Sequence, residues 1–129
     1  MSNAGDILIV DDDQPIVDFI TEALADEGYT IRSAFNVASA LDAMAARLPD
    51  LIIMDLYMPG KTGDMFVRDL RRDGRTDLPV VLMTADSQSA KALEAEGIAT
   101  CLLKPFDLDD LLACVAKHIR PQQKQTSGF

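Results

Sequence analysis

The chain has 129 residues, a length that suits one domain with a hydrophobic core of its own. Its formal net charge is −9, from 21 acidic and 12 basic residues, so we expect no direct binding to nucleic acid by this domain. No apolar run approaches the roughly 20 residues that a membrane span needs, and no signal segment opens the chain, which predicts a cytoplasmic location.

The first part of the chain alternates apolar runs with amphipathic segments. Asp6–Val10 predicts a buried strand, and a helix begins near Pro15. Residues 29–34 are more polar and predict an edge strand. Asn36 is placed to cap a second helix that ends before Pro49. The predicted apolar face of that helix comprises Val37, Ala40, Leu41, Met44 and Leu48.

The central stretch is the unbroken apolar run 51–54, which is typical of a strand buried on both faces. The run stops at Asp55, and a loop with proline and glycine follows. A helix is predicted over about 64–73. Asp55 should therefore lie at the carboxyl end of a central parallel strand, where open α/β sheets place their functional sites.

The last part repeats the alternation. Residues 79–84 and 99–103 predict two strands, separated by an alanine-rich helix over 87–96. Asp107 is placed to cap a final helix. Its predicted apolar positions are Leu108, Leu111, Leu112, Val115 and Ile119.

Five strand–helix units in sequence predict an α/β fold. The expected architecture is a (βα)5 doubly wound, five-stranded parallel sheet with right-handed crossovers and helices on both faces. Residues 1–5 are interpreted as a cloning remnant or a disordered start, 6–120 as the folded domain, and 121–129 as a polar tail or the start of a linker.

Four of the five predicted strands end on reactive polar residues, namely Asp11 with Asp12, Asp55, Thr84 and Lys104. In a parallel sheet these ends lie on one edge, so the side chains converge. Three crowded carboxylates favour a bound cation, and Mg²⁺ accepts one or two carboxylates with waters and phosphate oxygens. Adding the lysine and the hydroxyl gives a phosphoryl-transfer site with Asp55 as the nucleophile.

Four segments of the chain resemble the receiver domain of bacterial two-component response regulators. They are ILIVDD (7–12), LIIMDLYMPG (51–60), VLMTA (81–85) and LLKPF (102–106), and they occur in the order of that family. The resemblance covers about residues 6–120. It implies a flavodoxin-like fold with strand order 2-1-3-4-5.

The resemblance also implies a function. Asp55 would accept a phosphoryl group from a phosphohistidine on a sensor histidine kinase or a histidine phosphotransfer protein. The phosphorylated domain would change conformation to regulate a partner or an attached output domain. Mg²⁺ would be bound directly by Asp12, Asp55 and the backbone carbonyl of Tyr57, with Asp11 acting mainly through water.

Further roles follow from the same resemblance. Lys104 would bind the acyl phosphate oxygens, and Thr84 would hydrogen-bond one of them. The Lys104-Pro105 peptide bond is expected to be cis. The last helix–strand–helix face is expected to form a partner surface or a homodimer.

The chain departs from the family pattern at several positions. Cys101 stands where the family usually carries the aromatic residue that switches with Thr84, and Thr62 stands where an aspartate is common. Tyr57 and Asp86 occupy positions that tune phosphate lifetime. We therefore predict that the signal passes through displacement of Thr84 and residues 85–96, without a side-chain switch at Cys101.

Other chemistry-bearing residues are interpreted as structural. Cys101 and Cys114 do not form a C-x-x-C pair, so we predict buried, reduced thiols rather than a disulfide. His118 is expected near the end of the last helix, where a cation suits the helix dipole. Asp13 is expected to be a solvated or capping residue. Gly60 and Gly63 are interpreted as turn residues, because no phosphate-binding glycine motif is present.

Two alternative functions remain open. A phosphatase of the haloacid-dehalogenase type needs a second acid two residues after its nucleophile, but Tyr57 occupies that position. A degenerate receiver that binds a partner without phosphorylation is disfavoured by the intact acids, Thr84 and Lys104, whereas Cys101 keeps it open. We predict a regulatory phosphoacceptor rather than an enzyme. The glutamine-rich tail leads into a further domain or closes a stand-alone regulator.

Overall fold

The structure, a computed structural model that describes residues 4–120, alternates strands and helices through that range. The strands are β1 (Asp6–Val10), β2 (Thr30–Ala34), β3 (Leu51–Asp55), β4 (Val80–Thr84) and β5 (Thr100–Leu103). The helices are α1 (Gln14–Ala25), α2 (Val37–Ala46), α3 (Gly63–Arg72), α4 (Ser87–Ala95) and α5 (Leu108–His118). All neighbouring strands pair in parallel, in the order β2-β1-β3-β4-β5. The predicted fold class and strand order are confirmed, and β2 is an edge strand as expected.

The sheet lies between two hydrophobic cores because successive residues of a strand face opposite sides. In β1, Leu8 and Val10 face the core covered by α2, α3 and α4, whereas Ile7 and Ile9 face the core covered by α1 and α5. Strands β1, β3 and β4 are buried on both faces, which explains why their sequences are continuous apolar runs.

Two helix faces differ from the prediction. Leu41 is exposed because it lies at the rim of a groove between α2 and α3, which Val37 and Phe66 also line. Helix α2 ends at Ala46, so Leu48 lies beyond it. Leu108 lies at nearly the same angle around α5 as Val115, but it is the first residue of the helix and is exposed. The predicted caps are present, since Asn36 accepts the Ser39 amide at 2.7 Å and Asp107 accepts the Asp110 amide at 2.8 Å.

The cysteines are free thiols, as predicted, but both are half-buried rather than buried. Cys101 is in β5, which is the edge strand opposite β2, and Cys114 is in α5. An edge strand has a neighbour on one side only, so its residues are covered less completely. His118 is the last residue of α5, and its Nδ1 lies 2.9 Å from the Cys114 carbonyl oxygen.

An ion-pair cluster around the buried Asp6 closes the amino end of β1. The Asp6 carboxylate contacts Arg32 Nε at 3.3 Å and Arg47 Nε at 2.7 Å. Arg32 also donates to the carbonyl oxygens of Ala43 and Arg47, each at 2.8 Å, at the end of α2. Because its charge is matched on both sides, the buried Asp6 carboxylate is stabilised at this end of the sheet.

The last described residue is held at the amino end of β3. Asp50 and Asp6 exchange hydrogen bonds, since the Asp50 amide donates to the Asp6 carbonyl at 2.7 Å and the Asp6 amide donates to the Asp50 carboxylate at 2.9 Å. The Arg120 amide donates to the Asp50 carbonyl at 3.1 Å, and its guanidinium donates to the Pro49 carbonyl at 3.2 Å. The end of α5 is therefore fixed beside the start of the central strand.

The two ends of the chain bear on the predicted boundaries. The Ala4 amide donates to the Gly28 carbonyl at 3.3 Å, and the Thr30 amide donates to the Gly5 carbonyl at 2.8 Å, so residues 4 and 5 adjoin the start of β2. Residues 1–3 of the predicted start and 121–129 of the predicted tail lie outside the described residues. Within 4–120, no helix has the length and apolarity to cross a membrane.

Candidate functional site

Asp55 is the last residue of β3, a strand that lies between β1 and β4 in the middle of the sheet. The four residues before it are buried, whereas Asp55 itself is half-buried at the strand end. The Leu56 amide still donates to the Met83 carbonyl at 2.9 Å, which keeps the chain beside β4 for one more residue. The carboxylate is thus placed at the carboxyl edge by a strand that is anchored on both sides.

The loop after Asp55 folds back tightly onto it. The Gly63 amide donates to the Leu56 carbonyl at 2.7 Å. A Cβ atom at Gly63 would lie 2.7 Å from Leu82 Cδ2 and 3.0 Å from the Asp55 carbonyl oxygen, so only glycine fits without displacing its neighbours. Gly60 turns the same loop with a φ of 88°. Gly60 is thus a turn residue as predicted, whereas Gly63 is the first residue of α3 and is needed for close packing rather than for a turn.

Three carboxylates meet at this edge. Asp11, Asp12 and Asp55 each offer an oxygen, and these oxygens lie within 4.8 Å of one another. Asp11 is only 2% exposed, and one of its oxygens accepts the Asp13 amide at 3.0 Å. Its other oxygen, Oδ2, is buried without a hydrogen-bond partner among residues 4–120. The group therefore holds more negative charge than its protein neighbours compensate.

Lys104 supplies the nearby positive charge. Its Nζ lies 3.5 Å from Asp55 Oδ1 and 3.9 Å from Asp11 Oδ2. The Lys104 amide donates to the Thr84 carbonyl at 2.8 Å, which continues the pairing of β5 with β4 up to this residue. The Lys104-Pro105 peptide bond is cis, as expected from the resemblance.

Thr84 ends β4 and is buried. Its hydroxyl accepts the Asp86 amide at 3.0 Å. Asp86 in turn caps α4, because its carboxylate accepts the amides of Gln88 at 3.0 Å and Ser89 at 3.3 Å, and the Ser89 hydroxyl at 2.8 Å. These hydrogen bonds lower the pKa of Asp86, with Ser89 as the largest cause. The hydroxyl predicted to serve the phosphoryl group is therefore engaged with the start of α4.

The remaining predicted residues lie around this centre. Tyr57 is 57% exposed, and its hydroxyl contacts Ser89 rather than the acids. Asp13 is the N-cap residue of α1 and lies outside the three-carboxylate group. Burial raises the pKa of the Cys101 thiol to about 11, so this thiol is not ionised at neutral pH. Ser89 was not singled out from the sequence, although its place three residues after a capping aspartate is a recognisable signal.

The acids fit a hard divalent cation. Burial raises the pKa of Asp11, and the Asp55 charge adds to this effect, whereas the Asp13 amide and Lys104 oppose it. All the donors are oxygens, and the buried Asp11 Oδ2 lacks a hydrogen-bond partner in the described chain. Magnesium prefers oxygen ligands of this kind. The donor set therefore agrees with the predicted Mg²⁺ site.

We expect Asp11→Asn to raise the free energy of unfolding at pH 7 in the absence of Mg²⁺. Because the pKa of Asp11 is higher in the folded than in the unfolded chain, this residue favours folding at low pH and costs stability as pH rises above its unfolded value. The variant should lose that decline, which denaturant titrations between about pH 4 and 7 would measure. A variant less stable than the parent at pH 7 would contradict this account.

Comparison with known proteins identifies the family that this chain resembles. Residues 7–116 match the family model of the response regulator receiver domain. The DNA-binding transcriptional regulator NtrC of Escherichia coli K12 is 36% identical over 123 residues, which cover 94% of this chain and 26% of NtrC. The chain thus spans about a quarter of the length of that relative.

Solved structures agree as well. The receiver domain of NtrX from Brucella abortus is 31% identical, with a TM-score of 0.78, covering 87% of this chain and 96% of that one. The chemotaxis response regulator CheY4 of Vibrio cholerae is 28% identical, with a TM-score of 0.79, covering 90% and 98%. On its fold, its sequence and its relatives, the chain belongs to the family of response regulator receiver domains.

Proposed function

We propose that this receiver domain accepts a phosphoryl group on Asp55, with Mg²⁺ as the cofactor. Receiver domains are regulatory parts of two-component signalling systems rather than metabolic enzymes. The observation that supports Asp55 best is the position of its carboxylate, 3.5 Å from Lys104 and within the group of three acids at the carboxyl edge of the sheet. The proposed nucleophile, the proposed cation ligands and the proposed anion-binding lysine therefore lie close enough to act together.

The proposed step transfers a phosphoryl group from a phosphohistidine to Asp55. An Asp55 carboxylate oxygen forms a bond to phosphorus while the phosphorus–nitrogen bond of a phosphohistidine breaks. The bonding electrons pass to the imidazole nitrogen, which takes up a proton. Lys104 neutralises charge on the transferred oxygens, and the Thr84 hydroxyl leaves the Asp86 amide to donate to one of them.

The metal would be held by Asp12 and Asp55 directly, by the Tyr57 backbone carbonyl, and by Asp11 mainly through water. When bound, Mg²⁺ supplies neutralisation of the negative charge that gathers on the phosphoryl oxygens. The chain's own contribution is the placement of the acids on two neighbouring strand ends, β1 and β3. This pairing fixes Asp11 and Asp55 at the same edge.

A phosphatase is less well supported. Two residues after Asp55, the chain carries Tyr57, whose exposed hydroxyl contacts Ser89 at 3.1 Å. The chain therefore carries no second carboxylic acid at that position to protonate a leaving group. The phosphoacceptor role therefore accounts for the site better than a hydrolytic one.

The proposed phosphodonor is a sensor histidine kinase or a histidine phosphotransfer protein. Beside Lys104, a cavity of about 650 Å³ is lined mainly by apolar side chains. They are Pro15, Ile16, Phe19, Ala85, Pro105 and Phe106. The rings of Phe19 and Phe106 are 6.4 Å apart, and Phe19 is 42% exposed. An apolar helix face carrying the phosphohistidine can pack here and reach Asp55.

The free thiols suit a cytoplasmic location, which we also propose.

The test combines a small phosphodonor, such as acetyl phosphate, with Mg²⁺ and intact-mass measurement. One added phosphoryl group that requires Mg²⁺ supports the proposal, and an unchanged mass under conditions that phosphorylate another receiver domain overturns it.

Phosphorylation is further proposed to regulate a partner or an attached output domain. A homodimer through α4, β5 and α5 stays a prediction, which light scattering with and without phosphodonor would check.

We expect Cys101→Ala to keep a phosphorylation-dependent response. The small, half-buried cysteine cannot swing as a ring does, so its loss should cost mainly packing, on the order of 1 kcal/mol of unfolding free energy. A bulky Cys101→Tyr should instead overpack the site or alter the coupling. Partner affinity or dimer fraction, measured with and without phosphate, checks this. If the alanine variant folds and is modified at Asp55 but no longer responds, Cys101 is itself the switch.

A further inference from the structure

Helix α4 packs against the rest of the domain through few buried apolar side chains. Only Ala90 and Leu93 are buried in this helix. The neighbouring α3, by contrast, buries Phe66, Val67 and Leu70. With an apolar face of one alanine and one leucine, the position of α4 also depends on its polar contacts.

Two polar bridges span the groove between α3 and α4, a cavity of about 280 Å³. Near the sheet edge, the Tyr57 hydroxyl lies 3.1 Å from the Ser89 hydroxyl oxygen. Farther along, Arg68 Nη2 lies 3.2 Å from Glu96 Oε1. The first bridge is the one that connects to the functional site, because Tyr57 follows Asp55 by two residues.

The Tyr57 bridge continues as far as Thr84. The Ser89 hydroxyl lies 2.8 Å from the Asp86 carboxylate, and the Asp86 amide donates to the Thr84 hydroxyl at 3.0 Å. Asp86 is ionised at neutral pH and only accepts hydrogen bonds, so Ser89 must donate to it. The single Ser89 proton is then used, and Tyr57 must donate to Ser89. The donor and the acceptor of each of these three contacts are thereby assigned.

We propose that Tyr57, Ser89 and Asp86 form a latch that holds the amino end of α4 and the Thr84 hydroxyl in the unphosphorylated arrangement. This inference rests on the proposed function, in which Thr84 turns to the phosphoryl group on Asp55. When its side chain turns, the Thr84 hydroxyl moves away from the Asp86 amide, and Asp86 is the residue that both caps α4 and anchors Ser89. Movement of Thr84 therefore loosens the Tyr57 contact and frees the start of α4.

Amide hydrogen exchange of the unphosphorylated protein tests the latch. In Tyr57→Phe and in Ser89→Ala, we expect the amides of α4 to exchange about threefold faster or more, the effect of losing one hydrogen bond that water partly replaces. The amides of α1, on the other face of the sheet, exchange through local openings that leave the contact intact, and they should not change. The double variant should resemble Ser89→Ala, since both single substitutions remove the Tyr57 contact and Ser89→Ala also removes the hydrogen bond to Asp86.

The chain offers a matched control in its other tyrosine. Tyr29 lies before β2, far along the sheet from α4, so Tyr29→Phe should leave α4 exchange unchanged. Ser89→Thr keeps a hydroxyl and should restore slow exchange. Unchanged α4 exchange in Tyr57→Phe, or equal acceleration in the amides of α1, would overturn the latch.

A second measurement separates the latch from the proposed function. After phosphorylation of the parent protein is verified by mass, its α4 amides should exchange as fast as those of unphosphorylated Tyr57→Phe. If the mass shows phosphorylation while α4 exchange stays slow, the latch is not opened by the modification and the inference is wrong. If no phosphoryl group is added at all, it is the proposed function that fails.

Discussion

Asp55→Asn is expected to reduce phosphorylation by a small phosphodonor and Mg²⁺ to less than about one hundredth of the parent level, because loss of a nucleophile removes the reaction rather than slowing it slightly. The asparagine amide is nearly the same size, so β3 and its loop should fold as before. The amide neither attacks phosphorus nor carries the charge that holds a cation. Intact mass after a fixed incubation gives the modified fraction.

The control for Asp55→Asn is Asp42→Asn. Asp42 is exposed on α2, away from the carboxyl edge, and its substitution should leave the modified fraction unchanged. Circular dichroism of both variants shows that the fold is kept. Phosphorylation that persists in Asp55→Asn, mapped to a peptide without Asp11 and Asp12, would show that another residue is the acceptor.

The second large effect concerns the metal. We expect Asp12→Ala to weaken Mg²⁺ binding by about tenfold or more, because Mg²⁺ gives up its waters reluctantly and needs well-placed carboxylates. Asp13→Ala should change the affinity by no more than about twofold, since its carboxylate is outside the three-acid group and screened by water. The two variants remove the same charge one residue apart. Metal titration followed by calorimetry measures both.

The comparison of Asp12 with Asp13 separates ligation from general charge. If the whole acidic segment acted as a diffuse field, the two substitutions would weaken Mg²⁺ binding equally. Equal losses would mean that the wrong acids have been assigned as ligands. A loss confined to Asp13→Ala would move the site toward the start of α1.

The sheet could be predicted well from the sequence because its central strands are buried on both faces. Burial on both faces leaves only apolar side chains between the ends, so runs such as 51–54 stand out, and the polar residue that ends each run marks the edge. Asn36 and Asp107 indicated their helices correctly, because an N-cap is a local interaction between residues three apart. The convergence of Asp11, Asp55 and Lys104 followed from strand direction alone.

What the sequence did not reveal depends on long-range placement. The contacts of the buried Asp6 with Arg32 and Arg47 join residues that are far apart in sequence, and no local pattern indicates them. Tyr57 and Ser89 are 32 positions apart and meet only because α4 packs across the loop after β3. Periodicity gives the angle of a side chain around its helix, but not whether that turn of the helix reaches the sheet, and so Leu108 was misplaced.

The anchoring of Arg120 beside Asp50 has a mechanical consequence. Asp50 and Asp55 bracket β3, whose five residues at about 3.3 Å each separate the two ends by about 17 Å. Residue 120 therefore lies at the end of β3 opposite Asp55. A chemical change at Asp55 would therefore affect a protein bound at the opposite end of the sheet through a change in the shape of the domain surface, which would strengthen or weaken the binding.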